Sequence, residues 1–285
     1  MRHPRKVATT DNTTTRLGQL ILTIFALYGR TEGNWLSVAS IVALMAELSA
    51  DGQAVRSSVS RLKRRGVLDG ERRGAVAGYC LTAPTLEVLA EGDVRIFGRP
   101  RATEADGWLV VVFSVPESER DKRHALRASL TRLGFGTAAP GVWVAPGGIA
   151  AETRHTLERR GLGEYVDLFA GEHLGFGDMR SKVREWWDLS ELTALYAHFL
   201  GRYRPVHDRV AAGALTPAEA FSLYLPMLTE WRRLPYRDPG IPLSLLPPGW
   251  NGVDAGELFG ALDAALGSPA RDHAAAVIRA TGVNR

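Results

Sequence analysis

The residues between positions 51 and 81 combine a polar, basic helical pattern with a basic hairpin pattern. Val55, Val59 and Leu62 recur at helical spacing, which predicts an amphipathic helix that buries one apolar stripe. The other faces carry short hydroxyl side chains and guanidinium groups, which can hydrogen-bond to base edges and to phosphates. The candidate nucleic-acid contacts on this helix are Arg56, Ser57, Ser60, Arg61, Lys63 and Arg64.

Local signals bound this helix and the hairpin that follows it. Asp51 can cap the first turn, and Gly66 can end the helix in the left-handed conformation. Two β-prone segments follow at residues 67–68 and 77–81, separated by a basic tip. The candidate backbone contacts of this tip are Arg72 and Arg73. The pattern is that of a winged helix-turn-helix, whose helix enters the major groove. The alternative is an exposed basic helix beside an ordinary hairpin.

Positive charge is concentrated in the first quarter of the chain. Residues 1–73 hold 12 Lys and Arg against 6 Asp and Glu, a net charge of +6, whereas the whole chain has a net charge of +4. The pI of about 9.4 therefore reflects the N-terminal region rather than the whole surface. Localised positive charge indicates a polyanionic partner, here double-stranded DNA, that binds through phosphate neutralisation.

Composition is that of an ordinary globular chain. Its 285 residues, 45% of them hydrophobic, have room for two or three domains. The single cysteine, Cys80, cannot form an internal disulfide or a zinc cluster, so we expect a cytoplasmic protein without a metal or other cofactor. Residues 17–28 follow a basic start, but they lack a cleavage site and have helical spacing, which predicts a core helix rather than a signal peptide. No apolar run reaches the ~20 residues that a membrane span requires, so no membrane partner is expected.

The expected fold class is α+β with three domains. Residues 16–98 form the winged helix-turn-helix, residues 106–180 a ferredoxin-like domain, and residues 186–282 a helical domain. In the middle domain, the apolar run at residues 108–115 predicts a fully buried strand. A helix at 119–133, a hairpin around Pro140 and Gly141, a helix at 150–160 and a strand at 165–169 complete a βαββαβ order.

The C-terminal domain is predicted to be helical from residue 188 onward. Thr216 and Pro217 have the pattern of a helix start, and we expect that helix to continue through about residue 234. Six prolines between residues 226 and 248 predict a rigid, apolar connection. Two or three helices, over 255–266 and 270–281, are expected to close the chain.

Three segments together resemble a known family of regulators. They are AVRSSVSRLKRRG with its hairpin, WLVVVFSVPESERDKRHALRASLTRLGFG followed by GVWVAP, and EWRRLPYRDPGIPLSLLPPGWNG. In this order they resemble the PaaX family of bacterial transcriptional repressors, over roughly residues 16–265. The resemblance implies a homodimeric repressor of an aromatic-acid or related catabolic operon. It also implies release from the operator by an acyl-CoA effector such as phenylacetyl-CoA.

An acyl-CoA joins several phosphate charges to an apolar group, so its pocket needs arginines beside aromatic rings. Two segments combine them, residues 180–187 and residues 231–237. The candidate effector-binding residues are Arg184, Trp186, Trp187, Trp231, Arg232, Tyr236 and Arg237. The alternative is structural, since tryptophans at a domain junction can be core and the arginines can pair with Asp238 and nearby Glu.

A second reading makes the chain a metal-dependent nucleic-acid-processing protein. The middle domain also resembles the ferredoxin-like nuclease subunits of CRISPR adaptation systems, which place a metal-binding Asp at the end of the first strand. Ser114 stands there in this sequence, and Glu117, Glu119 and Asp121 lie at a helix start, where they complement its dipole. No phosphate-binding loop, H-E-x-x-H motif or nucleophile elbow is present. We therefore expect a regulator without catalytic or metal-binding residues.

Overall fold

The structure, a computed structural model, describes residues 16–98, 100–213 and 215–282. It is a mixed α+β fold with two antiparallel sheets. The chain divides into two compact units. Of the described residues, the first unit holds those up to Gly92, those within 202–230 and those from Glu257 onward, and the second holds those within 93–201 and 231–256. Among the described residues, no helix has the length and apolarity needed to cross a membrane.

The N-terminal part of the chain folds as helices around a three-stranded sheet. Its elements are helix α1 (residues 16–24, continued by a π-helical turn, Phe25–Gly29), β1 (Leu36–Ser37), α2 (Val38–Ala46), α3 (Gly52–Arg64), β2 (Leu68–Arg73), β3 (Val76–Leu81) and α4 (Ala83–Phe97). The strand order is β1-β3-β2. Ser37 caps α2 by accepting a hydrogen bond from the backbone N–H of Ser40 at 2.9 Å.

The hairpin is longer than the sequence predicted. All six residues of β2 pair with β3, so that Arg72 lies opposite Ala77 and Arg73 lies opposite Val76. The prediction that both arginines form the loop tip is therefore wrong, because the ladder extends to the two-residue turn that begins at Gly74. The two-residue strand β1, which pairs with β3, was not predicted either.

The central part of the chain contains the four-stranded sheet. Its elements are β4 (Trp108–Phe113), α5 (Arg120–Leu133), β5 (Gly136–Ala139), β6 (Val142–Pro146), α6 (Ala150–Arg159) and β7 (Val166–Gly171). The strand order is β5-β6-β4-β7, and each neighbouring pair is antiparallel. Gly134 ends α5 with a φ of +85°, as expected for a left-handed cap.

The prediction of a fully buried first strand is wrong. Leu109 and Val111 are buried, whereas Val112 is 38% exposed. Successive side chains of a strand point to opposite faces of the sheet, and only the face of Leu109 and Val111 packs on the core residues of α5, such as Leu130 and Leu133. A continuous apolar run in the sequence therefore covers one buried face and one partly open face.

Four helices follow the central sheet: α7 (Met179–Trp186), α8 (Leu189–Ala211), α9 (Pro217–Trp231) and α10 (Asn251–Gly282). Helix α7 was not predicted, although Asp178 caps it by accepting a hydrogen bond from the N–H of Ser181 at 3.1 Å. Helix α9 ends at Trp231, three residues before the predicted end.

The prediction of two or three closing helices is wrong, since α10 is continuous and contains Pro269. Proline inside a helix costs about 3 kcal/mol, because it removes a hydrogen bond and crowds the preceding turn. Leu262, Leu266, Ala270 and Ala274 recur every four residues across the proline, and all are at most 1% exposed. Burial of this continuous stripe offsets the cost, so the breaker residue does not end the helix.

Candidate nucleic-acid interface

The inner face of α3 fixes the orientation of the helix on the N-terminal unit. Val55, Val59 and Leu62 are buried, as the spacing predicted. Ser58 is also buried, at 1% exposure, although the sequence placed it among the polar faces. Asp51 accepts a hydrogen bond from the N–H of Ala54 at 2.9 Å and so caps the helix as predicted. This packing leaves the opposite face of α3 open to solvent.

The outward face of α3 carries most of the predicted contact residues. The exposed ones are Arg56, Ser57, Ser60, Lys63 and Arg64. Within the described parts of the chain, Arg56 and Arg64 have no hydrogen-bond or ion-pair partner. A guanidinium without an internal partner keeps all five of its donors for an external acceptor such as a phosphate or a guanine edge.

Arg61 differs from the other arginines of α3. It is half-buried, and its Nη2 donates a hydrogen bond to the Oγ of Ser58 at 3.0 Å. Contact with a base edge would therefore compete with an existing hydrogen bond. Arg61 remains a predicted contact, but the structure gives it a local role that Arg56 and Arg64 do not have.

The two arginines of the hairpin make internal contacts of different strength. Arg72 donates one hydrogen bond, from Nη2 to the carbonyl of Ala75 in the turn, at 2.8 Å. Arg73 makes an ion pair with Glu71 at 2.8 Å and donates from Nη2 to the carbonyl of Gly33 at 3.0 Å. The hydrogen bond from Arg73 lowers the pKa of Glu71 below its ordinary value.

Trp35 connects the hairpin to the loop before β1. The guanidinium of Arg73 lies 5.1 Å from the centre of the Trp35 ring, and the ring N–H donates to the carbonyl of Glu71 at 3.2 Å. The indole packs directly on Gly78 of β3, where a Cβ atom would also come within 2.6 Å of the carbonyl oxygen of Leu36. The residue at position 78 must therefore be glycine for the ring and β1 to approach β3 this closely.

Gln53 is a candidate contact that the sequence analysis missed. It is exposed in the first turn of α3, and helical spacing puts it on the face of Ser57, Ser60 and Arg64. A glutamine amide can pair with both the N6 and N7 positions of adenine. Its position four residues before Ser57, on the same helical face, is the signal that would have identified it.

The first predicted effector cluster lines an open groove in the second unit. Arg184, Trp186 and Trp187 border this groove of about 810 Å³, together with residues from the start of α8. Trp186 and Trp187 pack with Trp108, with ring centres 5.6 and 6.2 Å from it, and the indole N–H of Trp187 donates to the carbonyl of Gly134 at 2.8 Å. Trp187 is thus largely structural, whereas Arg184 is exposed.

The second cluster, at residues 231–237, makes its contacts within its own unit and does not line that groove. Trp231 is buried and donates to the carbonyl of Ile96 at 3.2 Å, and Tyr236 faces the guanidinium of Arg95 at 4.8 Å. Arg237 pairs with Glu191 at 2.5 Å, and burial lowers the pKa of Arg232. Of the described cluster residues, those that line the groove therefore belong to the first cluster and not to the second.

Asp238 has partners other than the neighbouring arginines considered in the sequence. It is buried, and its carboxylate accepts hydrogen bonds from Nη2 of Arg101 at 2.7 Å and from the hydroxyl of Tyr196 at 3.0 Å. It also accepts from the backbone N–H of Gly240 at 2.8 Å. These bonds hold the proline-rich connection after α9 in one conformation.

Glu117 and Glu119, two of the three acidic residues considered for a metal, accept hydrogen bonds from neighbouring side chains. Arg120 and Arg123 both bind the carboxylate of Glu117, and the hydrogen bond from Arg120 is the main cause of its lowered pKa. The hydroxyl of Tyr165 donates to Glu119. In the described part of the chain, no group of three metal-ligating side chains comes together.

Three family models match successive parts of the chain. They are a PaaX-like protein model at residues 16–85, the central Cas2-like domain of PaaX proteins at residues 101–183, and the C-terminal domain of PaaX-like proteins at residues 187–276. Their order follows the order of the elements described above, from α1 to α10.

Comparisons over most of the chain support the same family. The chain is 28% identical over 243 residues to the transcriptional repressor PaaX of Escherichia coli, which covers 82% of this chain and 76% of that protein. It has the fold of an uncharacterized protein of Mycobacterium tuberculosis, with a TM-score of 0.55 at 20% identity over 88% of this chain and 97% of the other. The chain belongs to the PaaX family.

Proposed function

We propose that this chain is a transcriptional repressor that binds operator DNA through α3 and the β2–β3 hairpin. The observation that carries the proposal is the two-sided character of α3. One face buries two valines and a leucine, and the opposite face presents basic and hydroxyl side chains, of which Arg56 and Arg64 have no partner among the described residues. Membership in a family of regulators supports regulation rather than catalysis. We also propose a cytoplasmic location, which a DNA-binding role supports.

The finer fold assignment belongs to the same proposal. Helices α2 and α3 with the hairpin correspond to a winged helix-turn-helix, with α3 as the recognition helix. The βαββαβ order and the strand order β5-β6-β4-β7 are those of a ferredoxin-like sheet. The domain division at residues 16–98, 106–180 and 186–282 follows from these assignments. The named relative is a repressor, which favours repression over activation.

We further propose a homodimer that a small-molecule effector releases from DNA. One recognition helix covers a single half-site, so two copies would read half-sites about one helical turn, ~34 Å, apart. An acyl-CoA such as phenylacetyl-CoA is the effector class that we assign. It must bind the DNA-free state more tightly than the DNA-bound state in order to cause release. Arg184 beside Trp186 in the open groove is its first candidate site.

The DNA assignment is tested with operator fragments that the full chain selects from a random pool of duplexes. Arg56→Ala should cost about 1–3 kcal/mol of binding free energy and relax the preference at one base pair. Arg127→Ala is the matched control, because Arg127 is exposed on α5 and outside the proposed interface. Wild-type affinity and specificity in Arg56→Ala, Ser57→Ala and Ser60→Ala alike would refute the role of α3.

Dimerisation and release are tested separately. Sedimentation should show a dimer at micromolar concentration, and a monomer with and without DNA would contradict the dimer. Phenylacetyl-CoA and other thioesters are then titrated into the operator complex of the wild type and of Arg184→Ala. Failure of every thioester to displace the wild type would refute the effector class, and equal displacement of the variant would move the pocket elsewhere.

A further inference from the structure

A small apolar cavity lies directly under the proposed recognition helix. It has a volume of about 160 Å³ and is enclosed by α2, α3 and β3. Its lining residues are Val38, Ile41, Val42, Val55, Val59 and Tyr79, with Arg56 among them as the only charged residue. The cavity lies wholly in the first unit and is separate from the groove at α7 and α8.

The cavity has a closed, apolar floor and a partly open rim. Ile41, Val55 and Val59 are at most 4% exposed and form the floor, whereas Val42 and Tyr79 are half-buried at the rim. A cavity of ~150 Å³ with aliphatic walls is large enough to hold a benzene-sized ring. The shape and lining therefore fit one compact apolar group, and the adenine nucleotide of a CoA thioester would have to remain outside.

Arg56 supplies a charge at the rim of this cavity. A Cβ atom built on Gly52 would lie 3.4 Å from Nη1 of Arg56 and 3.5 Å from Cγ1 of Val42, so the guanidinium and the rim valine both approach Gly52 at the start of α3. Among the described residues, none forms a hydrogen bond or a salt bridge with Arg56. A guanidinium can hold a carboxylate through two parallel hydrogen bonds, which are stronger than neutral ones.

We propose that this cavity binds a small monocarboxylate with a compact apolar body, such as an aryl or cycloalkyl carboxylate. The ring occupies the valine-lined floor, and the carboxylate pairs with the guanidinium of Arg56. The regulatory consequence rests on the proposed function, in which Arg56 contacts a base edge. A carboxylate at the rim neutralises the charge of Arg56 and occupies two of its donors, so the acid binds the DNA-free state more tightly and weakens operator binding.

The site is tested first by calorimetry on the full chain without DNA. Benzoate and cyclohexanecarboxylate are the probes, benzyl alcohol is the ring without the charge, and acetate is the charge without the ring. Val42→Phe fills the cavity from its half-buried rim, and Arg56→Gln removes the guanidinium from an exposed position. Val94→Phe is the matched control, because Val94 is 67% exposed and does not line the cavity.

We expect saturable binding of benzoate to the wild type and to Val94→Phe. Binding of benzoate to Val42→Phe and Arg56→Gln, and of both partial probes to the wild type, should be at least about tenfold weaker. Absence of saturable binding of either ring acid to the wild type would overturn the proposal, as would equal binding by Arg56→Gln. Arg56→Gln keeps the test decisive if Val42→Phe fails to fold.

The second arm measures operator binding in the presence of benzoate. At about ten times its own dissociation constant, a ligand confined to the DNA-free state raises the apparent operator Kd about elevenfold per site, and so about 120-fold for a dimer with two sites. Val42→Phe, which should bind at least about tenfold more weakly, should show no more than about twofold per site. Benzoate that binds through Arg56 without changing operator affinity would overturn the regulatory link. A chain that binds no DNA would refute the proposed function instead, and the calorimetric arm would still decide the cavity.

Discussion

Arg64 offers the sharpest test of the proposed DNA interface. It lies in the last turn of α3, exposed and without a hydrogen-bond or ion-pair partner in the described part of the chain. Position on the helix makes it a phosphate contact rather than a base contact, because the first turns of a recognition helix reach the base edges. We therefore expect Arg64→Ala to weaken binding to all sequences alike.

The expected change in the salt dependence of binding follows from counterion release. Each neutralised phosphate contributes about −0.9 to the slope of log K against log salt concentration. A dimer presents two copies of Arg64, so Arg64→Ala should make the slope less steep by about 1.8. Over a fourfold rise in salt, from about 50 to about 200 mM, the wild type should lose about twelvefold more affinity than the variant.

Fluorescence anisotropy of a labelled operator over a salt series measures this difference. Arg127→Ala is the matched control and should keep the wild-type slope, because it removes one exposed arginine from α5. Arg61→Ala should change the slope less than Arg64→Ala, since Arg61 already donates to Ser58 at 3.0 Å. An unchanged slope in Arg64→Ala, or an equal change in the control, would refute the proposed contact.

Three stability predictions follow from buried or capping groups. Gly78→Ala should lower the free energy of unfolding by about 1–3 kcal/mol, because the added methyl overlaps the backbone of β1, whereas Gly148→Ala, which meets nothing within 4 Å, should change it little. Asp51→Ala should cost about 1 kcal/mol through loss of the α3 cap. Asp238→Ala should lower the free energy of unfolding by about 3–5 kcal/mol, because it leaves buried donors unpaired. Its control is Glu185→Ala, which removes an exposed ion pair and should lower that free energy by less than about 1 kcal/mol. Urea denaturation of each variant checks all three, and a wild-type midpoint for Gly78→Ala or Asp238→Ala would contradict the packing described.

Helix α3 could be predicted from the sequence because all its signals are local. Asp51 supplies the cap, Val55 and Val59 share the apolar face, and Gly66 follows the last turn with a φ of +67°. Each signal acts within a few residues of the element that it controls. The bounds and the buried face of α3 therefore needed no knowledge of the rest of the fold.

The surroundings of Arg73 could not be predicted in this way. Its partners include the carbonyl of Gly33, 40 positions earlier, and the ring of Trp35, which the sheet brings beside the hairpin. The same limit explains the closing helix, where Pro269 is a local stop signal but a buried stripe on both sides of it decides the outcome. Tertiary packing overrides local propensity at both places.

Arginines beside aromatic rings illustrate why composition alone cannot locate a ligand site. Trp231 donates a hydrogen bond to Ile96, and the ring of Tyr236 contacts the guanidinium of Arg95. Arg237 forms an ion pair with Glu191. These contacts indicate that the cluster stabilises the fold. Arg184 and Arg56 differ from these because each is exposed and lines a concave, partly apolar surface. A ligand gains most from a charge whose hydrogen bonds are still available, since it need not replace an internal partner. The groove at α7 and the cavity under α3 are therefore better candidates for the proposed small-molecule sites than the proline-rich connection is.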